Sequence, residues 1–326
     1  MRKQFIVGIA ISLILLVIVF WKTDRQALWQ ACMSANYWYV LPSVAVTFVC
    51  MWLRAVRWQL LFEPIKKISI HSLFSAVMIG FMANNLLPAR LGEFVRAYVI
   101  ARHEKVAKTA SFGTIVVERL FDGLVLISFL IFGFLTSATL PDVIVYSGYV
   151  FGSIYAVTLC FLFMLVAKPD LALVLMEYVL HFASDTMAER VRSLIRSFMV
   201  GLESLRSITR ILSVVFMSFL LWFIFALSIH YALLAFNLEL PYMGSLLLMS
   251  ILGFGVTIPS SPGYIGTFQA SCVVGLALFS VSQSDALSFS IVFHASQYIP
   301  VTIVGLIYLW MDHLSLRDLR QAEMVS

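Results

Sequence analysis

NNLLPARLG, residues 84–92, interrupts a stretch of apolar sequence that otherwise runs from residue 70 to residue 101. A second apolar stretch, residues 243–281, is interrupted in the same way by PSSPGYIG, residues 259–266. Proline has no amide hydrogen to donate inside a helix, and glycine destabilises a helix interior. Each stretch is therefore predicted to form two short helices joined by a turn. The alternative is that these residues only kink two continuous helices.

The rest of the chain is also apolar. Hydrophobic residues make up 61% of the sequence and charged residues 12%, with a mean hydropathy of +0.97, whereas a soluble domain has roughly 25% charged residues. Six further apolar runs are each long enough to cross a hydrocarbon core of roughly 30 Å; they are residues 4–21, 38–62, 112–137, 144–167, 211–236 and 287–311. The predicted fold is an all-α polytopic membrane protein, one domain over residues 1–326, with six full transmembrane helices and two re-entrant helical hairpins.

Basic residues predict the orientation of the chain. Fifteen of the 22 Lys and Arg residues lie in the two termini, in the loops around residues 66 and 105, and in the segment 168–210, whereas the loops on the other side carry only Lys22 and Arg25. Cytoplasmic loops carry such an excess, so both termini are expected to be cytoplasmic in a cell (inner) membrane. The first hairpin then opens to the cytoplasm and the second to the other side. The halves 38–167 and 211–311 would form an inverted repeat, which is typical of secondary transporters.

The segment that joins the halves, residues 168–210, has a helical repeat of apolar residues opposite its arginines. Phe198, Leu202 and Leu205 belong to that repeat. The pattern predicts an amphipathic helix on the inner membrane surface. A basic linker helix without a specific lipid role is the alternative.

Charged residues occur within the apolar segments. Together with Asn85 they are the predicted substrate-binding residues: Arg54, Arg57, Arg90, Glu93, Arg96, Glu118, Arg119 and Asp122. Five arginines against three carboxylates leave a surplus of positive charge, and guanidinium groups suit phosphate oxygens. We expect a seat for an anionic lipid headgroup. Helical spacing also predicts the pairs Arg90–Glu93, Glu93–Arg96 and Arg119–Asp122. Alternatively, Arg54 and Arg57 extend to the inner interface and the others form structural ion pairs.

The two breaks supply the predicted hinge or gate residues, which are Pro88, Gly92, Pro259, Pro262, Gly263 and Gly266. The side chains of Ser260, Ser261, Thr267 and Gln269 are expected to hydrogen-bond backbone groups that the second break frees. A secondary polar face, His294, Gln297 and Tyr298, is predicted to point into the helix bundle. An interhelical hydrogen bond is the expected role of His294, and proton transfer is the alternative.

Other classes of function lack their sequence signals. The four cysteines have no CxxC spacing, so neither a metal site nor a cofactor is predicted. Lys and Arg form no basic stripe with interleaved aromatic residues, which argues against nucleic-acid binding. No phosphate loop or nucleophile motif is present, and no enzyme activity is predicted. Membrane lipids are the expected partners, with a lipid-modifying enzyme and a homo-oligomer left open.

Three motifs together carry a resemblance to a known family: NLLPARLGEFVR at residues 85–96, ERLFD at 118–122 and PGYIGTF at 262–268. They resemble the lysylphosphatidylglycerol synthase transmembrane family, which includes the flippase part of bacterial multiple peptide resistance factors. The resemblance implies a lipid-handling domain with two re-entrant segments. Tyr264 and Gln269 depart from the family pattern, where glycine and an acidic residue are common. The chain is expected to be a stand-alone member without the soluble synthase domain, so synthase activity is not implied.

The predicted function is a lipid flippase or transporter that moves a lipid with a polar headgroup, anionic or aminoacylated, between leaflets. One alternative is a membrane enzyme acting on a lipid or a polyprenyl-phosphate-linked headgroup, with Glu93, Glu118 or Asp122 as acid or base. Another is a scaffold for a separate lipid-modifying synthase.

Overall fold

A computed structural model describes the structure of the protein over residues 2–21, 23–87, 91–136, 193–194, 197–315 and 318–319, with scattered residues between 146 and 160. Within these ranges every regular element is helical. The predicted segment 144–167 therefore lies largely outside the described residues, as do Pro88 and Arg90.

Ten α-helices make up most of the described part of the chain. They are α1 Arg2–Trp21, α2 Arg25–Ser34, α3 Val40–Phe62, α4 Ile70–Leu86, α5 Gly92–Glu104, α6 Lys108–Thr136, α7 Ile208–Ala235, α8 Tyr242–Gly255, α9 Thr267–Ala277 and α10 Gln283–Met311. Short 3-10 turns at Tyr37–Tyr39, Glu203–Arg206 and Pro262–Tyr264 complete the described elements.

Three of the described helical segments are long and apolar enough to cross a membrane: Tyr37–Phe62, Ile208–Ala235 and Gln283–Met311. A fourth is added if Val7–Trp21 and Arg25–Ser34, which meet at 91°, are counted as one broken span. An all-helical architecture with several apolar spans agrees with the predicted fold class. The count of six full crossings and two re-entrant hairpins stays a prediction.

The first interrupted stretch reverses direction. A methyl group at Gly80 in α4 would lie 2.9 Å from the backbone oxygen of Gly92, the first residue of α5. At the other end of the pair, Lys66 Nζ, just before α4, donates to the backbone oxygen of Glu104 at 2.7 Å. Because both ends of the two helices meet, α4 and α5 form an antiparallel hairpin. A kink in one continuous helix is therefore the wrong interpretation of this break.

The second interrupted stretch folds in the same way. A methyl group at Gly255, at the end of α8, would overlap the Ser271 side chain in α9. At the opposite end of the two helices, a methyl group at Gly244 would lie 3.1 Å from Phe279 Cζ. Helices α8 and α9 are therefore antiparallel, and both breaks occur where proline and glycine predicted them.

The long helices α3 and α7 join the two halves and run antiparallel. The amide of Asn36 donates to the Ala235 oxygen at 2.7 Å near one end, and Arg210 Nε donates to Glu63 Oε2 at 3.4 Å near the other. Other contacts between the halves occur in matching pairs. Helix α4 packs on α10 as α8 packs on α6, and α5 packs on α6 as α9 packs on α10. These helix contacts are therefore the same when α3–α6 are exchanged with α7–α10.

Helix α1 lies across the second break. The Ser261 amide donates to Ser12 Oγ at 2.8 Å, and Gln283 Nε2 of α10 donates to the Val19 oxygen at 2.6 Å. The opposite side of α1, including Ile14, Val17 and Ile18, is exposed. Large apolar side chains on an exposed helix face indicate contact with lipid in a chain of this composition.

The described end of the segment 168–210 packs against the bundle. Leu202 is buried, with Phe198 and Leu205 partly buried beside it. A methyl group at Gly113 in α6 would lie 2.7 Å from the Phe198 oxygen, so this end contacts α6 directly. The apolar side of the predicted repeat therefore faces protein here, and the rest of the segment lies outside the described residues.

Candidate functional site

Three neighbouring helices carry a cluster of buried charges. Arg54 and Arg57 lie one turn apart on α3, and Arg96 comes from the first turns of α5. Glu118, Arg119 and Asp122 lie on α6 and face the same side because residues three and four apart share a helix face. Arg57 and Glu118 are fully buried, and Arg54, Arg96 and Asp122 are each at most 5% exposed. The cluster is the charged region that the sequence predicted.

Asp122 is the carboxylate that collects most of the contacts. Arg57 Nη1 donates to Asp122 Oδ1 at 2.6 Å, and Arg54 Nη1 donates to Oδ2 at 3.3 Å. Arg119 Nη2 lies 3.3 Å from Oδ2, so the predicted Arg119–Asp122 pair is confirmed. Trp222 Nε1 of α7 adds a hydrogen bond to Oδ1 at 2.7 Å. Asp122 therefore ties α3 and α7 to α6.

Glu118 pairs with Arg96 across the α5–α6 interface. Arg96 Nη1 and Nη2 donate to Glu118 Oε1 and Oε2 at 2.9 and 3.0 Å. The predicted Glu93–Arg96 pair is therefore wrong. The reason is burial, because the Arg96 guanidinium lies over the Trp58 ring, 4.2 Å from its centroid, and points towards α6. The predicted Arg90–Glu93 pair lies outside the described residues.

The arginines do not extend to an interface. Arg54 is 5% exposed, and its guanidinium carbon lies 5.0 Å from the Trp222 ring centroid and 5.4 Å from that of Phe81. Arg57 Nη1 also donates to Ser218 Oγ at 2.8 Å. Both side chains end inside the bundle, so the alternative that they reach the membrane surface does not describe them.

The cluster retains unmet hydrogen-bonding capacity. Within the described part of the chain, the buried Nε atoms of Arg54 and Arg119 have no acceptor. A buried donor without an acceptor is destabilising, and more so when it carries charge. These two side chains also reach the wall of a cavity. An anionic group in that cavity would meet the exposed part of the Arg119 side chain, which is 37% exposed, and not these buried Nε atoms.

The cavity lies between the two halves and has a volume of about 230 Å³. Arg54, Glu93 and Arg119 form its charged wall, and His294, Gln297 and Tyr298 form a polar wall opposite. Asn85 of the first break and Tyr264 of the second also line it. Aromatic and aliphatic side chains such as Phe81, Phe225 and Met249 complete the surface. The predicted polar face of α10 thus points into the bundle, as expected.

The nine predicted substrate-binding residues occupy three places. Arg54, Asn85, Glu93 and Arg119 line the cavity. Arg57, Arg96, Glu118 and Asp122 lie behind this wall, where the two carboxylates pair both with the lining arginines and with Arg57 and Arg96. Arg90 lies outside the described residues. The sequence therefore grouped the charged residues together but did not separate lining residues from supporting ones.

A hydrogen-bonded chain links the second break to His294. Gln269 Oε1 accepts from the Gly266 amide at 2.7 Å, and Gln269 Nε2 lies 3.0 Å from His294 Nδ1. The His294 ring stacks on Phe268 with 4.5 Å between centroids. His294 thus has the interhelical hydrogen bond that was predicted, and Gln269 connects it to the break.

The breaks use their special residues for turns and close contacts. Gly263 and Gly266 have φ of +68° and +95°, which residues with a Cβ adopt at an energetic cost. Ser261 Oγ donates to the Ile265 oxygen at 3.1 Å, and Thr267 Oγ1 donates to the Tyr264 oxygen at 3.1 Å. Pro262 begins a 3-10 turn, while Pro259 is exposed. The predicted satisfaction of freed backbone groups is confirmed for Ser261, Thr267 and Gln269.

Asn85 and Tyr298 join the first break to α10. Tyr298 OH donates to the Asn85 backbone oxygen at 3.1 Å. In return, Asn85 Nδ2 donates to the Tyr298 oxygen at 3.3 Å and to Thr302 Oγ1 at 2.8 Å. Gly263 packs against the Tyr298 ring, so the second break meets the first here.

Two lining residues were missed from the sequence. Trp222 contacts both Arg54 and Asp122, but a tryptophan in an apolar helix looks like any core aromatic residue. Asn84 accepts from the Gly92 amide at 2.8 Å and donates to Glu93 Oε1 at 3.5 Å. The sequence could have indicated Asn84, because it is the first residue of the break at residues 84–92.

Comparisons with known proteins agree on one family. The family model described as the lysylphosphatidylglycerol synthase TM region matches residues 5–305. A UPF0104 membrane protein of Methanocaldococcus jannaschii is 23% identical over 70% of this chain and 93% of its own length. Another, from Methanothermobacter thermautotrophicus, is 21% identical over 85% of this chain and 86% of its own. Glycosyltransferase AglD of Haloferax volcanii is 25% identical over 93% of this chain and 53% of its own length. No solved structure matches the chain.

Proposed function

We propose that this chain, which belongs to the lysylphosphatidylglycerol synthase TM region family, moves a lipid with an anionic headgroup between the leaflets of a cell (inner) membrane. The headgroup occupies the cavity between the halves while its hydrocarbon chains stay in apolar surroundings. The proposal covers aminoacylated lipids too, because their phosphate group is the part that the arginines bind.

One observation carries the proposal. The cavity wall carries two arginines against one carboxylate: Arg54 and Arg119 line it together with Glu93, and the Arg119 side chain is 37% exposed. Guanidinium groups bind phosphate oxygens through short, charge-assisted hydrogen bonds. Glu93 on the same wall balances part of the charge, which favours a substrate that also carries an amine or hydroxyl group.

The packing of the halves supports movement through this cavity. Transporters built from inverted repeats bind substrate near the bilayer midplane, between broken helices from each half. Here the hairpins α4–α5 and α8–α9 both reach the cavity, and α3 and α7 run antiparallel beside it. We include in the proposal six full crossings, two re-entrant hairpins that open to opposite sides, and cytoplasmic termini. Non-helical backbone at such a depth requires a protein or wet environment, which the cavity provides.

Roles within the cluster follow from position. Arg54, Asn85, Glu93 and Arg119 contact the headgroup. Glu118 and Asp122 hold the two lining arginines in place, and Arg57 and Arg96 pair with these carboxylates from behind the wall. Arg90 and Pro88 retain the substrate-binding and hinge roles that the sequence predicts. The polar face of α10, His294, Gln297 and Tyr298, forms the opposite side of the headgroup site.

The test is lipid movement in liposomes that contain the purified protein. Fluorescent phosphatidylglycerol and phosphatidylcholine, with the same chains, are compared by quenching of the outer leaflet. We expect faster movement of the anionic lipid, at least a tenfold decrease in Arg54→Gln and Arg119→Gln, and no change in Arg206→Gln. Arg206 is exposed and does not line the cavity, so it is a matched control. Equal rates with and without wild-type protein for every lipid would refute the proposal.

A second candidate function is an enzyme that acts on a lipid-linked headgroup. The named relative AglD is a glycosyltransferase, although the alignment covers 53% of its length. Glu93 is the carboxylate that lines the cavity, and it would be the acid or base. Incubating the protein with polyprenyl-phosphate sugars and looking for a product by mass spectrometry separates the two functions.

Partner proteins are a separate question. Copurification with a lipid-modifying synthase would favour a scaffold function. A particle mass above that of one chain would reveal a homo-oligomer.

A further inference from the structure

A second chamber lies between α1 and the two breaks. Its volume is about 390 Å³. Leucine and isoleucine side chains from three elements line it: Ile9, Leu13 and Leu16 of α1, Leu86 at the first break and Ile265 at the second. The other lining residues are Pro262 and four polar residues, and Ser12 Oγ accepts a hydrogen bond from the Ser261 amide. Among the described residues, no charged side chain lines this outer chamber, whereas Arg54, Glu93 and Arg119 line the first cavity.

The two spaces share one wall. Asn85 and Tyr298 line both the headgroup cavity and the outer chamber. Their hydrogen bonds at 3.1 and 3.3 Å close the wall between the first break and α10. Among the described residues, these two side chains lie between a space with charged side chains in its wall and a space without them.

Helix α1 supplies four of the ten residues that line the outer chamber. Its contacts with the second break are close, since a methyl group at Gly8 would lie 2.8 Å from the Ser260 oxygen. Its other face presents Ile14 and Val17, each 58% exposed. Displacing α1 would therefore join the chamber to the hydrocarbon of the bilayer without separating the two halves.

We propose that the outer chamber holds a hydrocarbon chain of the lipid whose headgroup occupies the cavity, and that α1 is the lateral gate through which this chain passes. This inference rests on the proposed lipid transport and adds where the hydrocarbon chain of the lipid lies. An amphiphile needs a polar and an apolar space side by side. The Asn85–Tyr298 wall must open so that headgroup and chain, which are covalently joined, occupy both.

Locking α1 tests the gate. Ser12→Cys and Ser261→Cys are combined in a chain whose Cys32 and Cys160 are replaced by serine. The Ser12 hydroxyl lies against the Ser261 backbone, so oxidation is expected to join the two positions. We expect oxidation to slow movement of fluorescent phosphatidylglycerol at least tenfold, and reduction to restore it. Binding of glycerol 3-phosphate, followed by ligand-observed NMR, should stay unchanged because the headgroup cavity is intact.

A large side chain placed in the outer chamber tests, without a cross-link, whether a hydrocarbon chain must enter it. Leu16→Trp places a large side chain in the chamber, and Ile14→Trp places one on the exposed face of the same helix. We expect Leu16→Trp to slow phosphatidylglycerol movement at least fivefold while glycerol 3-phosphate still binds, and Ile14→Trp to change neither. Unchanged movement in both Leu16→Trp and the oxidised double cysteine variant would overturn the gate. If the reduced, unsubstituted protein moves no anionic lipid, the transport proposal itself fails, which is a distinct result.

Discussion

Arg96 of α5 and Glu118 of α6 form a two-point ion pair, with both Nη atoms at 2.9 and 3.0 Å from the two carboxylate oxygens. Both side chains are at most 3% exposed. The pair fastens the first hairpin to α6, and it leaves Glu118 in position to hold Arg119 as well.

Breaking that pair should destabilise the protein. Removing one partner of a buried ion pair leaves an uncompensated charge and costs about 3–5 kcal/mol. We expect Arg96→Gln and Glu118→Gln to lower the thermal unfolding midpoint in detergent strongly, measured by a thiol-reactive dye. Arg206→Gln, which alters an exposed pair with 3.9 Å between its atoms, should leave the midpoint within error. Midpoints equal to wild type in both buried variants would contradict the assigned pair.

Lipid movement should depend on the planar, forked shape of the guanidinium groups of the lining arginines and not only on their positive charge. A lysine carries the same charge as Arg119 but cannot contact Glu118, Asp122 and a phosphate at once. Since a hydrogen bond to a charged group contributes roughly 1.5–3 kcal/mol, Arg119→Lys is expected to reduce lipid movement about tenfold or more. The comparison is Arg57→Lys, which lies behind the wall and should affect the unfolding midpoint more than the rate per folded molecule. The reverse order of effects would exchange their roles.

The tip of the first hairpin should tolerate no added side chain. A methyl group at Gly92 would overlap the Gly80 oxygen and the Asn84 side chain. Overpacking of this kind costs about 1–3 kcal/mol, so Gly92→Ala should lower the unfolding midpoint. Gly152 has open space around it, with no atom within 4 Å, and Gly152→Ala is the matched control. A midpoint in Gly92→Ala as high as in the control would disprove the close contact.

Weakening the shared wall should accelerate transport. Tyr298→Phe removes the hydroxyl that donates to the Asn85 oxygen and keeps the ring that packs on Gly263. Because a neutral hydrogen bond contributes about 1 kcal/mol, we expect a severalfold faster movement of anionic lipid. Tyr308→Phe, towards the end of the same helix, is the control. A slower rate in Tyr298→Phe would mean that the hydroxyl binds substrate instead of closing the wall.

The sequence predicted the parts that depend on local chemistry. Proline and glycine located both breaks, and Ser261, Thr267 and Gln269 were correctly expected to satisfy freed backbone groups. Helical spacing also found the Arg119–Asp122 pair. It could not tell a kink from a reversal, because that depends on whether Gly80 and Gly92 can approach each other across the turn.

The missed contacts all cross between helices. Spacing alone paired Arg96 with Glu93, whereas the structure pairs it with Glu118 because Trp58 directs the guanidinium towards α6. Trp222 entered the site for the same reason, since its partners Arg54 and Asp122 lie far from it in sequence. Which apolar residue faces a charge is a property of packing, and no local pattern records it.

The glycine contact at the first hairpin has a mechanical consequence. With backbone against backbone at Gly80 and Gly92, α4 and α5 have no room to slide or flex independently. Under the proposed transport, α4 and α5 would therefore move together, and the Arg96–Glu118 pair would link their movement to α6.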